Sequence, residues 1–513
     1  MTKRYEVVIV GGGHNGLVAA CYLALAQKKV LIVEANLEIG GAVVSAEIFA
    51  GIDVNISRYA YLVSLLPDKI LTDLSINFET GSRTISSYTP TFDGVNTGLL
   101  VERTLGEESK KSFRELSGGE SEFIQWEKFY AELQKLATLL APTLLQPLRS
   151  RAKMRKLATR AGLGELWNEI IETPIGETIR ERFRNDLVRG VVLTDALIGT
   201  FAPADSFMAN KCFLYHLIGN GTGEWKVPIG GMGELTKQLL ARARELGVEV
   251  RTGSRVTQVE ALEDQVRVFV EGGEVIEGDF LAANCAPQIL ADLMGNPKSD
   301  LAPGSQLKIN MLLKKLPRLK SGIDPMRAFG GTFHINEAYS QLEKAYHQSQ
   351  EGKIPDVIPA EMYCHTITDP SILSEELSEI GFQTLTLFAL HLPYELFRRD
   401  NEGAKSLVVE RLFAQLNQYL ADPIEECLAT DVDGNICVDV NSPVDLEAIL
   451  TMPLGNIFHK ELDFPFTDEG SSMRWGAETG NKRVFICGAG SWRGGGVSGI
   501  GGHNAAMAIL EVI

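Results

Sequence analysis

The sequence predicts an α/β protein in which a Rossmann-like nucleotide-binding domain is interleaved with a second domain that has its own sheet and a helical insertion. Three observations point there. The amino-terminal stretch "YEVVIVGGGHNGLVAACYLALAQKKVLIVEAN" runs strand, glycine turn, helix, strand and acid, the order of a mononucleotide-binding unit. Residues 107–222 are helical in pattern, poor in strand signals, and interrupt that unit. Alternation then resumes, and the chain closes on "NKRVFICGAGSWRGGGVSGIGGHNAAMAILEVI", a buried strand, a glycine-rich turn and an apolar helix. At 513 residues the chain exceeds the size at which one hydrophobic core stops growing, so two domains are expected.

Composition narrows the function classes. A hydrophobic fraction of 45% with 22% charged residues is that of an ordinary globular protein. A net charge of -17 disfavours nucleic acid as a partner, because phosphate backbones are bound by clustered cations. The seven cysteines contain no Cys-x-x-Cys pair, which argues against a disulfide framework, a redox dithiol and a zinc site, so no metal is expected. No apolar run approaches the roughly 18 residues of a membrane-spanning helix. The first strand begins at about Tyr5, which leaves no room for a signal peptide, and a cytoplasmic, soluble protein is expected. One stretch departs from the acidic background: "RSRAKMRKLATR", with Arg149 first and Arg160 last, carries six basic residues and no acid directly after the apolar "LATLLAPTLLQPL". It suits either peripheral contact with an anionic membrane or a solvated basic helix face.

Taken in chain order, Gly11, Gly13 and Gly16 fill the G-x-G-x-x-G positions. The first permits the tight turn, the second lets backbone approach a pyrophosphate, and the third lets helix and strand pack closely. His14, inside the fingerprint, reads as a turn residue beside the phosphates. Glu34 ends the second strand, eighteen residues after Gly16, placed to accept from ribose hydroxyls and to repel a 2'-phosphate. Gly40 and Gly41 in "EIGGA" add a doublet that an NAD domain does not require. Later, "EWKVPIGGMGELTKQLLARARELGVEVRTGSRVTQVEA" reads as a glycine turn at Gly230, Gly231 and Gly233, a helix and two strands. "VRVFVEGGEVIEGDFLAANCAP" reads as a hairpin and one more buried strand. Alternating runs such as "LKINMLLK" and "QTLTLFALHL", within residues 308–392, predict the floor of a separate domain. Gly494, Gly496 and Gly499 repeat the fingerprint spacing. No strand directly precedes them and no strand with a terminal acid follows, so they do not form a second dinucleotide site.

Four segments then form a set: the amino-terminal unit with its Gly-Gly-Ala, "VPIGGMGELTKQL", "LAANCAP" and "VFICGAGSWRGGGVSGIGGHNAA". The set resembles the phytoene desaturase-like flavoproteins, and within them the branch of pyridine nucleotide-disulfide oxidoreductase domain-containing protein 2. Desaturase-type carotenoid ketolases and retinol saturase are similar relatives. "MPLGNIFHKELDF" also looks like that branch, so the resemblance covers nearly the whole chain. It implies noncovalent FAD lying across the first domain and a substrate tunnel between that domain and a mixed sheet with a helical cap. The implied pieces are 1–80, 225–300 and 441–513 for the FAD domain, 81–224 for the cap and part of the substrate domain, and 301–440 for the substrate sheet. By position, the resemblance implies that Gly11, Gly13, His14, Asn15 and Gly16 border the pyrophosphate and Glu34 and Ala35 the ribose. It likewise sets Gly41 and Ala42 near the phosphate and ribityl chain, and Val256 at the adenine side. Gly488, Gly490, Gly496 and Val497 close the site around the ribityl chain and ring. Trp225, Gly231 and Met232 lie near the ring's substrate side.

One departure stands out, since relatives commonly have proline where this chain has Arg493. A cation there would stabilise anionic reduced flavin; the alternatives are a side chain in solvent or paired with an acid. His503 reads as a helix-surface histidine. His334, His365, His391 and His459 are isolated in sequence and read as structural or surface residues. No catalytic residue is evident, because transfer of a hydride to or from flavin N5 needs no protein nucleophile. The expected function is FAD-dependent oxidoreduction, desaturase- or saturase-like, of an apolar, isoprenoid or lipid substrate in a tunnel with few polar groups. The alternatives are amine oxidation, oxygen-using carotenoid ketolation, and a flavin-containing interaction protein with little turnover.

Overall fold

A computed structural model describes residues 4–91, 98–297 and 301–513; the remaining positions of the implied 1–80, 81–224 and 225–300 pieces lie outside the described residues. Two seven-stranded sheets organise the chain. Their strands are β1 (Arg4–Val10), β2 (Val30–Val33), β3 (Ile85–Thr89), β4 (Leu99–Glu102), β5 (Glu249–Arg251), β6 (Val256–Ala261), β7 (Val266–Val270), β8 (Val275–Ala283), β9 (Leu307–Leu313), β10 (Thr332–Ile335), β11 (Ala360–Tyr363), β12 (Gln383–Ala389), β13 (Val438–Asn441) and β14 (Val484–Ile486). The helices that shape the site are α1 (His14–Leu25), α2 (Ser121–Leu140), α3 (Arg151–Arg160), α4 (Asp186–Thr194), α5 (Phe207–Ile218), α6 (Gly233–Glu245) and α7 (Ile500–Leu510).

The first sheet has the order β6-β7-β8-β1-β2-β5, with β14 also beside β8. β1, β2, β5, β8 and β14 run parallel to their neighbours in this set, as expected for strands covered on both faces by helices. Val7, Val8 and Ile9 are accordingly buried on both sides of β1, each contributing about 1.5–3 kcal/mol by leaving water. The expected hairpin and the buried strand after it share one element. β8 pairs antiparallel with β7 over its first half and parallel with β14 over its second, so a single nine-residue strand joins the hairpin to the chain's last strand.

The second sheet is mixed, in the order β13-β9-β12-β11-β10-β3-β4. All its pairs are antiparallel except β3 with β10. Every residue of β9 is buried, the mark of a strand with elements on both faces. Above it lies the helical segment. In α2, Phe123, Trp126, Phe129, Leu133, Leu136 and Leu140 recur at helical spacing and are buried. α4 starts where the Asn185 side chain accepts from the backbone N–H groups of Leu187 and Val188. α3 carries the basic stretch: Met154 and Ala158 face the core, Arg151 pairs with Glu172, and Lys153, Arg155, Lys156 and Arg160 are exposed. Among the described residues no helix is long and apolar enough to cross a membrane.

The chain's end returns to its beginning through one close approach. A Cβ on Gly502 of α7 would fall far inside contact distance of the Asn15 carbonyl oxygen of α1, so only glycine lets the two helices lie this close. Gly502→Ala is therefore expected to lower stability by about 1–3 kcal/mol through overpacking. The loss would be read as a lower denaturation midpoint at unchanged m-value.

Candidate active site

A cavity of ≈ 1000 Å³ runs from the start of α1 to the face of the second sheet. In its first half the wall is made by Gly11, Gly13, His14, Asn15, Glu34, Ala35, Gly41, Ala42 and Val256, with Gly496 and Val497 from the carboxy-terminal turn. Gly13 is the N-cap of α1; no side chain caps it and no acid stands in the first turn. The first N–H groups of the helix are thus left without intrahelical partners at its positive end, an arrangement that receives an anion. Glu34, 8% exposed, accepts from the Gly12 N–H at 2.7 Å and the Asn36 N–H at 2.8 Å. These bonds fix the carboxylate while leaving lone pairs for a hydroxyl donor. Burial, then the neighbouring His459, holds the His14 imidazole neutral, its pKa lowered to about 4. His14 Nε2 and Asn15 Oδ1 are buried and lack hydrogen-bond partners among the described residues. An open helix start, an anchored acid and two unpartnered polar atoms fit the pyrophosphate and ribose of FAD.

Other expected residues sit elsewhere. Gly16, Gly488 and Gly490 stand behind the wall rather than on it: Gly16 packs against Gly11 and Asn284, Gly488 against Asn284, and Gly490 against Pro287. They allow the backbone layers to close and do not border the cavity. Gly231 and Met232, expected near the ring, do not line the cavity either. Gly231 lies against Ser45 and Ser57, and the Met232 N–H donates to Ser57 Oγ at 2.9 Å. Trp225 does line the cavity and stacks on His216, with ring centroids 4.9 Å apart.

Arg493 requires the clearest correction. It is 1% exposed, does not line the cavity and pairs with no acid among the described residues. Its Nη1 donates to the carbonyls of Thr143 and Gln146 at 2.8 and 2.6 Å, and its Nη2 to that of Trp475 at 2.9 Å. Burial lowers its pKa to about 10, leaving it charged. The guanidinium therefore clamps the 3-10 turn after α2, Ala141–Leu145, to the carboxy-terminal segment. His503 is likewise buried, with Nδ1 2.9 Å from Asn504 Oδ1 and its ring edge-on to Tyr22.

The second half of the cavity is less apolar than the sequence suggests. α2 supplies Trp126, Tyr130 and Leu133, and β12 supplies Phe388. Among them stand Arg83, Asp195, Lys308, His334 and Glu361. Lys308 Nζ donates to the carbonyls of Ser57 and Arg58 at 2.7 and 2.8 Å and lies 4.7 Å from the Tyr61 ring centre; burial pushes its pKa well below the usual ammonium range. Burial raises the Glu361 carboxyl to about 8 and that of Asp195 to about 7, and lowers His334 to about 3. Sequence reasoning gave Arg83, Asp195, Lys308 and Glu361 no role and read His334 as a structural or surface residue, because the five come from separated segments. The available signal was a polar residue inside an apolar strand, as in "LKINMLL", "TFHI" and "AEMY". His459 also lines the cavity, whereas His365 bonds Asp369 at 3.1 Å and His391 is buried away from it. Among the described residues no group of three or more His, Cys, Asp or Glu is placed to hold a metal ion.

Two variants probe the halves of this site. Glu34→Gln weakens the acceptor to Gly12 and to ribose hydroxyls, and is expected to raise the FAD dissociation constant at least about tenfold, about 1.4 kcal/mol, by flavin fluorescence titration. Arg493→Met leaves three carbonyls without their charged donor and is expected to cost about 3 kcal/mol of stability. The bound flavin's midpoint potential should stay unchanged; a shifted potential would return the side chain to the role that its position denies.

A model of the flavin containing amine oxidoreductases matches residues 16–312. An uncharacterized protein of Mycobacterium tuberculosis is 44% identical over 527 residues, covering 100% of this chain and 98% of its own. Mouse pyridine nucleotide-disulfide oxidoreductase domain-containing protein 2 is 28% identical over 100% of this chain and 94% of its own, the branch to which the motifs pointed. Wild-type putrescine oxidase shares the fold, with a TM-score of 0.58 at 16% identity over 100% of this chain and 99% of that one. The match runs from within α1 through the Glu34 strand and both strands β3 and β4 to β9, and the chain belongs to the flavin-containing amine oxidoreductase family, with FAD as its cofactor.

Proposed function

We propose that this flavin-dependent oxidoreductase dehydrogenates a largely apolar substrate, of isoprenoid or other lipid type, held between the second sheet and the helical cap. The observation that carries this reading is the continuity of the cavity. The half that fits FAD opens without a break into the compartment walled by Trp126, Tyr130, Leu133 and Phe388. When bound, FAD supplies the acceptor for a hydride leaving a C–H bond. The protein's own part is to exclude water with these walls, to orient the apolar body against them, and to keep backbone at Gly496 and Val497 close to the cofactor. Apolar walls with a few placed polar groups are the usual composition of such a site.

Amine oxidation is the second reading, and the interior carboxyls of Asp195 and Glu361 favour it, since either attracts a cation once ionised. Fold alone does not choose, because one scaffold hosts several chemistries. Anaerobic mixing of the FAD-loaded protein with isoprenoid alcohols, carotenoid and fatty-acyl lipids, and alkylamines separates the two. Bleaching of the flavin absorbance by isoprenoids or lipids is the expected result. Bleaching by amines alone would replace the first reading with the second.

A further inference from the structure

Charged and polar groups from cap and sheet meet at one place in the substrate half of the cavity. Arg83 precedes β3, Asp195 follows the last turn of α4, and His334 and Glu361 stand directly opposite each other on β10 and β11. Arg83 is 7% exposed, yet its one hydrogen bond among the described residues is a long 3.4 Å contact from Nη1 to Thr332 Oγ1, and its Nε has no partner. Glu361 Oε1 lies 3.5 Å from the Tyr61 hydroxyl, a weak bond at best. The Asp195 carboxyl makes no hydrogen bond among the described residues, and no ion pair joins Arg83 to Asp195 or Glu361. Behind them His334 Nδ1 lies 3.3 Å from Thr89 Oγ1 and 3.6 Å from the fully buried Glu337, whose carboxylate oxygens have no hydrogen-bond partner among the described residues.

Buried donors and acceptors that fail to satisfy one another call for a further group. A hydrocarbon would seal them off from water and leave them unpaired, the costly outcome. A polar end of the ligand would satisfy them. Resting on the reading of a largely apolar substrate, we propose that this substrate carries one hydrogen-bonding end, an X–H group such as a hydroxyl or an amine, which seats among Arg83, Asp195, His334 and Glu361. Each of these residues faces the same cavity, and between them they offer both donors and acceptors. Burial keeps the two carboxyls protonated through part of the neutral range, so each can donate as well as accept. An ammonium end would instead draw them into the ionised form. Tyr61 and Tyr363, whose rings lie 5.0 Å apart, wall the same corner, with Arg83 over the Tyr363 face at 5.4 Å.

The test uses the full-length, FAD-loaded protein and three probes that share one fifteen-carbon chain: farnesene, farnesol and farnesylamine. Binding is read anaerobically by perturbation of the flavin absorbance and by thermal shift. Farnesol or farnesylamine is expected to bind at least about tenfold more tightly than farnesene. The advantage should fall below about threefold in Glu361→Gln and in Asp195→Asn. A gain confined to farnesol assigns a hydroxyl end, and one confined to farnesylamine assigns an ammonium. Equal affinity for all three probes, or a preference that survives in both variants, overturns the proposal. Should Glu361→Gln fail to hold FAD, Asp195→Asn, on the cap and away from the nucleotide half, gives the same comparison. Because affinity is read apart from turnover, a preference without bleaching by any substrate class counts against the proposed dehydrogenation alone. Bleaching by isoprenoids without a preference counts against the polar seat alone.

Discussion

The cofactor end is drawn together by a close backbone approach, that of Gly502 in α7 against the Asn15 carbonyl in α1. Helices normally stand 8–10 Å apart because their side chains intervene; here a missing side chain lets the last helix lie against the first. That approach positions the turn just before α7. Gly496, with φ +61, and Val497 thereby reach the same cavity wall as Gly11 and Gly13. Two glycine-rich turns, separated by almost the whole chain, become opposite sides of one cofactor site.

The cap is tied to that site by charge rather than by apolar packing alone. Arg493 issues from the same carboxy-terminal turn and donates to carbonyls at the end of the cap's long helix as well as to Trp475. Three short charge-assisted bonds in a nearly dry setting are strong and directional. They link the element that borders the cofactor to the segment that roofs the substrate compartment. At this position the chain uses a buried guanidinium as a fastener.

Cofactor and substrate halves follow different physical rules. At the α1 end, unpartnered backbone N–H groups and a single acid, Glu34, fit the phosphates and ribose of FAD. In the second half of the cavity polar side chains arrive from separate segments of the sheet and the helical region: Arg83, Asp195, His334 and Glu361. Their mismatch with one another is what distinguishes this cavity from an apolar channel. Lys308, by contrast, is held by two carbonyls of the Ser57–Arg58 segment and fastens the sheet to the cofactor domain.

The α/β class, the phosphate turn, the Glu34 strand and the interleaving by a helical segment were legible in the residues, because each is written in local periodicity and in glycines at fixed spacing. The fusion of hairpin and strand into β8 was not, since strand length there is set by which neighbours pair with it. The resemblance also set Gly231 and Met232 near the flavin ring, whereas neither lines the cavity, and the local pattern read His334 as a structural or surface residue and gave Glu361 no role. A lone polar residue looks the same in sequence whether it faces core, solvent or cavity. By itself the sequence carried the nucleotide-binding turn and its acid, because both lie within one βαβ unit, and the resemblance of its motifs pointed to FAD. Only the tertiary structure decided what the substrate meets, because that surface exists only when strands and helices hundreds of residues apart enclose one space and exclude water from it.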